Sequence, residues 1–232
     1  MNATPRLARI AALMLVALIA SASMGGADEL PPLKTGDIVF QESGNPQSAA
    51  IALASSSPYT HTGLVEIDSQ GRANVVEAAG PVQTVPLEAW IKKGVGQRVT
   101  IMRVTDLSAD EASKVLKAAH VYDGRPYDIY FHEGRDAIYC SELVALAFSE
   151  GIGRTVGHVQ RIGELDLAHD AVQALIGERW QRHPACVAAH AQSREACEPI
   201  LMQQILITPG SIAADKSLTA IYSTFDPGPS VR

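Results

Sequence analysis

Apolar residues change their spacing several times along the chain, and each change marks an element. Asp37–Gln41 reads as a short buried strand, and residues 46–54 as a short helix opened by Pro46. Residues 61–67 and 73–79 are β-rich runs separated by Asp68-Ser69-Gln70-Gly71-Arg72, a hairpin signal. Residues 87–93 look helical, and 98–104 alternate like another strand. Ser108-Ala-Asp-Glu111 is a capping box; the helix it opens carries Ala112, Val115, Leu116 and Ala119 on one face and stops at Gly124-Arg-Pro. The next helix spans 140–150, with Leu143, Val144 and Ala147 on one side and Gly151 past its end. Beyond Gly151 the pattern predicts helices over roughly 164–180 and 184–207, then a Pro/Gly-rich disordered tail over 224–232. Strands in the first half and helices in the second argue for an α+β fold.

One apolar run does not belong to this scheme. Ile10–Ala20 is unbroken over eleven residues, follows Arg6 and Arg9, and precedes small residues at Ala20-x-Ala22 and Gly25-x-Ala27. This is the layout of a secretory signal peptide over residues 1–27, cleaved after Ala22 or Ala27, and the run is short for a bilayer span. An uncleaved anchor is the rival reading. Residues 28–223 then form a single domain, with 164–207 as a helical extension, and no transmembrane segment is expected after signal removal. The chain has 232 residues and a net charge of −6. Removing 1–27 takes away two arginines and no acids, leaving 17 basic against 25 acidic residues and a net charge of −8. With no Lys/Arg run, nucleic acid is not an expected partner. An exported protein, periplasmic or secreted, with a small-molecule or peptide substrate fits better.

The motifs of phosphate-binding loops, His-Glu-x-x-His zinc sites and Gly-x-Ser-x-Gly hydrolases are missing from the sequence. Attention falls on Cys140, which opens the helix Tyr139-Cys140-Ser141-Glu142-Leu143. The helix dipole and free N–H groups there stabilise a thiolate, and the same amides can receive an oxyanion. A small buried packing residue is the plainer alternative. A nucleophilic thiol needs a base, and His61, at the start of a strand and among small residues, is the best placed of the seven histidines. Glu77 is a carboxylate inside the apolar run Val75-Val-Glu-Ala, costly there unless paired or solvated. If the 61–67 and 73–79 strands join through a three-residue loop at Ser69–Gly71, paired residue numbers sum to 140. His61 then opposes Ala79 and Glu77 opposes Gly63. The two candidates become diagonal neighbours on one face, about 7–8 Å apart at Cα. A slip of one residue would separate them.

A second group is His183, Cys186, His190 and Cys197. It could be a zinc set, a disulfide between Cys186 and Cys197, or neither. One unbroken helix over 184–197 would place the two cysteines about 16 Å apart along its axis, too far to bridge. Ser193 could cap a second helix and let the chain turn back. A disulfide would leave Cys140 as the single free thiol.

Taken together, Thr-Gly-Asp-Ile-Val-Phe-Gln (35–41), Tyr-Thr-His-Thr-Gly (59–63), Val-Val-Glu-Ala-Ala-Gly-Pro-Val (75–82), Leu-Glu-Ala-Trp (87–90), Gly-Arg-Pro-Tyr-Asp (124–128) and Tyr-Cys-Ser-Glu-Leu-Val (139–144) give a recognisable order. Ile207-Thr-Pro-Gly-Ser is a weaker match. The chain resembles the YiiX/YaeF-like group of NlpC-related, circularly permuted papain-like cysteine hydrolases. The resemblance implies a small antiparallel sheet packed on the helix carrying the nucleophilic cysteine, with extra C-terminal helices, of which the Cys186–Cys197 segment is not part of the family pattern. It implies a Cys140–His61–Glu77 triad, with Tyr127 assisting the oxyanion, and no cofactor or metal. The implied activity is amide cleavage, in a cell-wall peptide such as one derived from peptidoglycan or in a small amino-acyl amide. The same fold also serves lipid-directed acyl transfer, as in lecithin–retinol acyltransferase-like proteins, and can persist as a non-catalytic ligand-binding module. An acyl-directed enzyme would want an apolar groove, which the sequence after the leader does not announce.

Overall fold

The computed structural model describes residues 30–132 and 134–226. The leader expected over 1–27 and residues 227–232 of the tail lie outside the described residues.

A six-stranded antiparallel sheet runs in the order β4-β3-β2-β1-β5-β8. Its strands are β1 (Ile38–Gln41), β2 (His61–Ile67), β3 (Ala73–Ala78), β4 (Val82–Pro86), β5 (Thr100–Val104) and β8 (Leu218–Ser223). The β2–β3 register pairs Leu64 with Val76 and Ile67 with Ala73, so paired numbers do sum to 140. The central strands are buried on both faces, which is why β1 reads as a continuous apolar run. Ile38, Phe40, Leu64 and Val76 face the larger core; Val39, Val65, Val75 and Ile101 pack with Leu87 and Trp90 of α2 (Leu87–Lys93) in the smaller one.

Helices α3 (Ala109–His120) and α4 (Cys140–Ile152) cover the larger core. The capping box of α3 is present: Ser108 N donates to Glu111 Oε2 at 2.9 Å, and Glu111 N donates to Ser108 Oγ at 3.3 Å. Helix α4 extends past its expected end. Gly153, at φ 68°, is its left-handed cap. Gly151 lies inside the helix, where an added Cβ would come within 2.8 Å of the Lys114 carbonyl oxygen of α3. That glycine serves close helix packing, not termination.

The C-terminal half departs further from expectation. The helix expected over 184–207 is two helices, α6 (Pro184–Ala188) and α7 (Arg194–Gln203), followed by β7 (Ile205–Leu206), which pairs with β6 (Gln160–Arg161). Ser193 caps α7, its side chain accepting from Ala196 N, so the chain reverses where it was able to. Within 164–180 only α5 (Asp170–Arg179) is α-helical. After α8 (Pro209–Ala213) the chain returns to the sheet as β8. Thr224 and Phe225, expected in a disordered tail, are anchored: Thr224 N donates to Val99 O at 2.9 Å, and the Phe225 ring meets Tyr59 edge-on at 5.1 Å. Strands β4 and β8 escaped the sequence because they are short edge strands. One contains Pro86, and the other presents Thr219 and Ala220 to solvent. No helix among the described residues is long and apolar enough to cross a membrane.

Candidate active site

Cys140 is the first residue of α4 and is 3% exposed. The chain around it is clamped from afar: Ser141 Oγ donates to Ile207 O at 2.9 Å, and Ile207 N donates to Tyr139 Oη at 3.2 Å. The weakly matching Ile207-Thr-Pro-Gly-Ser segment is therefore a structural partner of the cysteine helix. Burial pushes the thiol's pKa up. A hydrogen bond from His61, its charge, and the N–H groups of Thr62 and Ser141 outweigh that, and the net shift is downward. Cys140 is the free cysteine of the chain.

His61 opens β2, with Nε2 at 2.6 Å from Glu77 Oε2. That contact leaves Nδ1 for the thiol. Burial lowers the imidazole's pKa, but the hydrogen bonds to Cys140 and Glu77 and their charges dominate, raising it to about 9. The ring is also stacked on Trp90, centroids 5.8 Å apart and planes at 26°. Gly63 lies between His61 and the strand carrying Glu77, and an added Cβ there would lie 2.5 Å from Val75 Cγ1 and 2.9 Å from the Val76 carbonyl oxygen, so a side chain would press on the strand that holds the carboxylate.

Glu77 is 1% exposed and fully engaged. Trp90 Nε1 donates to Oε2 at 2.8 Å, Gln83 Nε2 donates to Oε1 at 3.1 Å, and Lys93 Nζ lies 4.0 Å from Oε1. Burial raises its pKa, but the bond to His61 and its charge, then Gln83 and Lys93, leave it lowered. A carboxylate so held stays ionised and fixes the imidazole's orientation. Sequence reasoning did not find Gln83, Trp90 or Lys93 as its partners. Trp90 lay in a recognised segment without a role, and Gln83 sits on the unpredicted β4.

Tyr127 reaches the same point from a loop. Ile138 N donates to Pro126 O at 2.9 Å, and Asp128 accepts from the N–H groups of Tyr130 and His132 at 2.8 and 2.6 Å, folding that loop against α4. Burial, then the charge of Cys140 and a hydrogen bond with it, push the phenol's pKa well above 10.0. Tyr127 is thus a neutral O–H donor beside the sulfur. Its oxygen accepts from Gln47 Nε2 at 3.4 Å, and Gln47 Oε1 accepts from Arg179 Nη2 at 2.7 Å. Neither Gln47 nor Arg179 carries a sequence signal; they lie 132 residues apart.

Two cavities meet here. Gln47, His61, Glu77, Lys93, Tyr127 and Arg179 are among the residues lining a polar cleft of 470 Å³. A narrower 110 Å³ pocket with an apolar surface runs from Cys140 between Ile51, Leu165, Leu175, Ile176 and Ile207. Thr60 and Tyr127 border both.

Cys186 and Cys197 form a disulfide, Cα atoms 5.3 Å apart, in a small cluster with Ile176, Trp180 and Leu201. His183 caps α6, its Nδ1 accepting from Ala185 N at 3.3 Å. Among the described residues no group of three or more His, Cys, Asp or Glu is placed to hold a metal ion.

Known proteins resemble this chain in sequence and fold. The family described as permuted papain-like amidase enzymes, YaeF/YiiX, C92 family, matches residues 32–222. YiiX of Escherichia coli (strain K12), described as uncharacterized, is 39% identical over 151 residues, 65% of this chain and 74% of that protein. The crystal structure titled metalloprotein yiiX, from Escherichia coli O157:H7, superposes with a TM-score of 0.74 at 32% identity, over 84% of this chain and 99% of that one. The metal in that title finds no ready ligand set among the described residues of this chain. With a permuted papain-like α+β fold and a match over most of its length, the chain belongs to the YaeF/YiiX family of permuted papain-like amidases.

Proposed function

We propose that the protein is an exported cysteine amidase whose nucleophile is Cys140, with His61 as acid–base and Glu77 as the group that orients it. The observation that carries this reading is His61, whose Nε2 is bonded to the buried Glu77 and whose ring interacts with the Cys140 thiol. The raised imidazole and lowered thiol favour a thiolate–imidazolium pair at neutral pH.

The thiolate attacks the amide carbonyl carbon. The tetrahedral oxygen receives hydrogen bonds from the N–H groups at the start of α4 and from the Tyr127 hydroxyl. As the C–N bond breaks, imidazolium delivers its proton to the departing amine, leaving a thioester on Cys140. Neutral His61 then takes a proton from water, whose oxygen attacks the thioester. The C–S bond breaks, the carboxylic acid leaves, and the thiolate–imidazolium pair is restored. No cofactor enters these steps.

The leader-like residues 1–27 and the disulfide support action outside the cytoplasm. A cell-wall peptide or small amino-acyl amide suits such a location. The apolar pocket at Cys140 favours a second reading, in which the acyl half is a hydrocarbon chain, either hydrolysed or passed to an acceptor. No single stretch of sequence announces such a pocket, because its walls come from α1 (Ser48–Ala54), α5 and the 162–167 and 206–209 segments. Mass spectrometry of muropeptides and N-acyl amino acids incubated with wild type and Cys140→Ala tests both readings. Release of free amine by wild type alone is the expected result. Equal release by the variant, or no change in any substrate, would contradict the proposal.

A further inference from the structure

We infer that the amine half of the substrate carries an anionic group, a carboxylate or a phosphate, received by Arg179; this deepens the amidase reading and rests on it.

The two cavities are not equivalent with respect to the proposed proton donor. The departing nitrogen must lie within reach of His61. His61 lines the polar cleft, while the apolar pocket runs from Cys140 and does not include His61 in its wall. The amine therefore leaves through the cleft, and the cleft's chemistry describes it.

That cleft holds an excess of positive charge in an otherwise acidic protein. The Cys140 thiolate is balanced by the His61 imidazolium, and Glu77 is faced by Lys93. Arg179 is left over. Its guanidinium is half-buried and, among the described residues, bonded to neutral groups: the Ile129 carbonyl, the Gln47 amide oxygen, and the Phe131 ring at 5.9 Å. Asp128 and Glu178 are near enough to favour its charge, yet no carboxylate among the described residues lies within ion-pair distance of it. Both Asp128 oxygens are already taken by backbone N–H groups. A planar cation fixed in place by neutral acceptors, with no described acid paired to it, matches the bidentate geometry of a carboxylate or phosphate. Gln47 then links that anion to the site. It holds Arg179 with its oxygen and Tyr127 with its nitrogen.

Binding tests this without depending on turnover. Cys140→Ala protein is titrated calorimetrically with N-hexanoylglycine, its neutral counterpart N-hexanoylglycinamide, and N-hexanoyl-O-phosphoethanolamine. The acid or the phosphate is expected to bind at least about 10-fold more tightly than the amide, the stronger of the two identifying the anion. Adding Arg179→Gln should reduce that preference to about 2-fold or less by weakening the anion alone, while Arg179→Lys retains part of it. Equal binding of acid, phosphate and amide by the Cys140→Ala protein overturns the inference, even if the Arg179 variants do not fold. So does a preference that survives Arg179→Gln, or the absence of detectable binding by all three. Wild-type turnover of the same compounds reports separately on the amidase reading. Anion preference without hydrolysis would sink that reading and leave the anion site standing; hydrolysis without preference would do the reverse.

Discussion

The stretch from β1 to α4 and the stretch from β6 to α7 contribute to one site in different ways. The first is a continuous sheet-and-helix core in which Cys140, His61 and Glu77 are all buried, with His61 between the other two. The second is a set of short helices tied by a disulfide, whose side chains are mostly half-buried or exposed, and it supplies Leu165, Leu175, Ile176 and Arg179 to the cavities. The difference separates reactivity from selection. On the proposed amidase reading, reactivity rests on a register and a helix terminus held in the packed core, and selection on a wall built from a less deeply packed layer.

Damage to the first region should remove chemistry. Cys140→Ala is expected to lower amide turnover by about 10⁴-fold or more, with thermal unfolding little changed, measured on any substrate found active. Glu77→Gln keeps the shape but loses the charge that holds the imidazole, and should cost about 10³-fold in kcat. Gly63→Ala crowds Val75 and the Val76 carbonyl without touching a reacting atom. It should destabilise by about 1–3 kcal/mol in urea unfolding, as overpacked cores do, and lower kcat.

Damage to the second region should leave the thiol reactive and blur what it accepts. Replacing Cys186 and Cys197 with Ser should cost about 2–3 kcal/mol of stability for a loop with a sequence separation of 11. KM should rise while Cys140 alkylation is nearly unchanged. Equal loss of alkylation would show that the two regions are not separable.

The smallest expected effect is a shift in pH dependence. Activity should rise as Cys140 ionises below its ordinary 9.0 and fall as His61 loses its proton near pH 9. Glu77 is one of the groups raising His61, so Glu77→Gln should move the alkaline limb downward. An unmoved limb would break the link between the two residues.

How much of this was legible in the sequence follows the same division. The β2–β3 register, the α3 capping box and the helix opened by Cys140 depend on contacts near in sequence, so turn chemistry and periodicity reveal them. The proximity of His61 and Glu77 followed from counting across one hairpin. Gln47, Trp90 and Arg179 are brought in by long-range packing, and a lone Gln or Arg on a short helix has no periodic signature. The helices after Gly151 were overextended because apolar residues there serve small local clusters as well as the main core, and the return of β8 to the sheet edge leaves only a half-buried strand to detect.

The most direct test of the central claim is the rate of Cys140 alkylation by iodoacetamide as a function of pH. Cys186 and Cys197 are bridged, so the signal comes from one thiol. A thiolate–imidazolium pair predicts fast alkylation that persists well below neutral pH and collapses in His61→Ala. A rate that rises only around pH 8–9, as for an ordinary thiol, and is indifferent to His61 would contradict it.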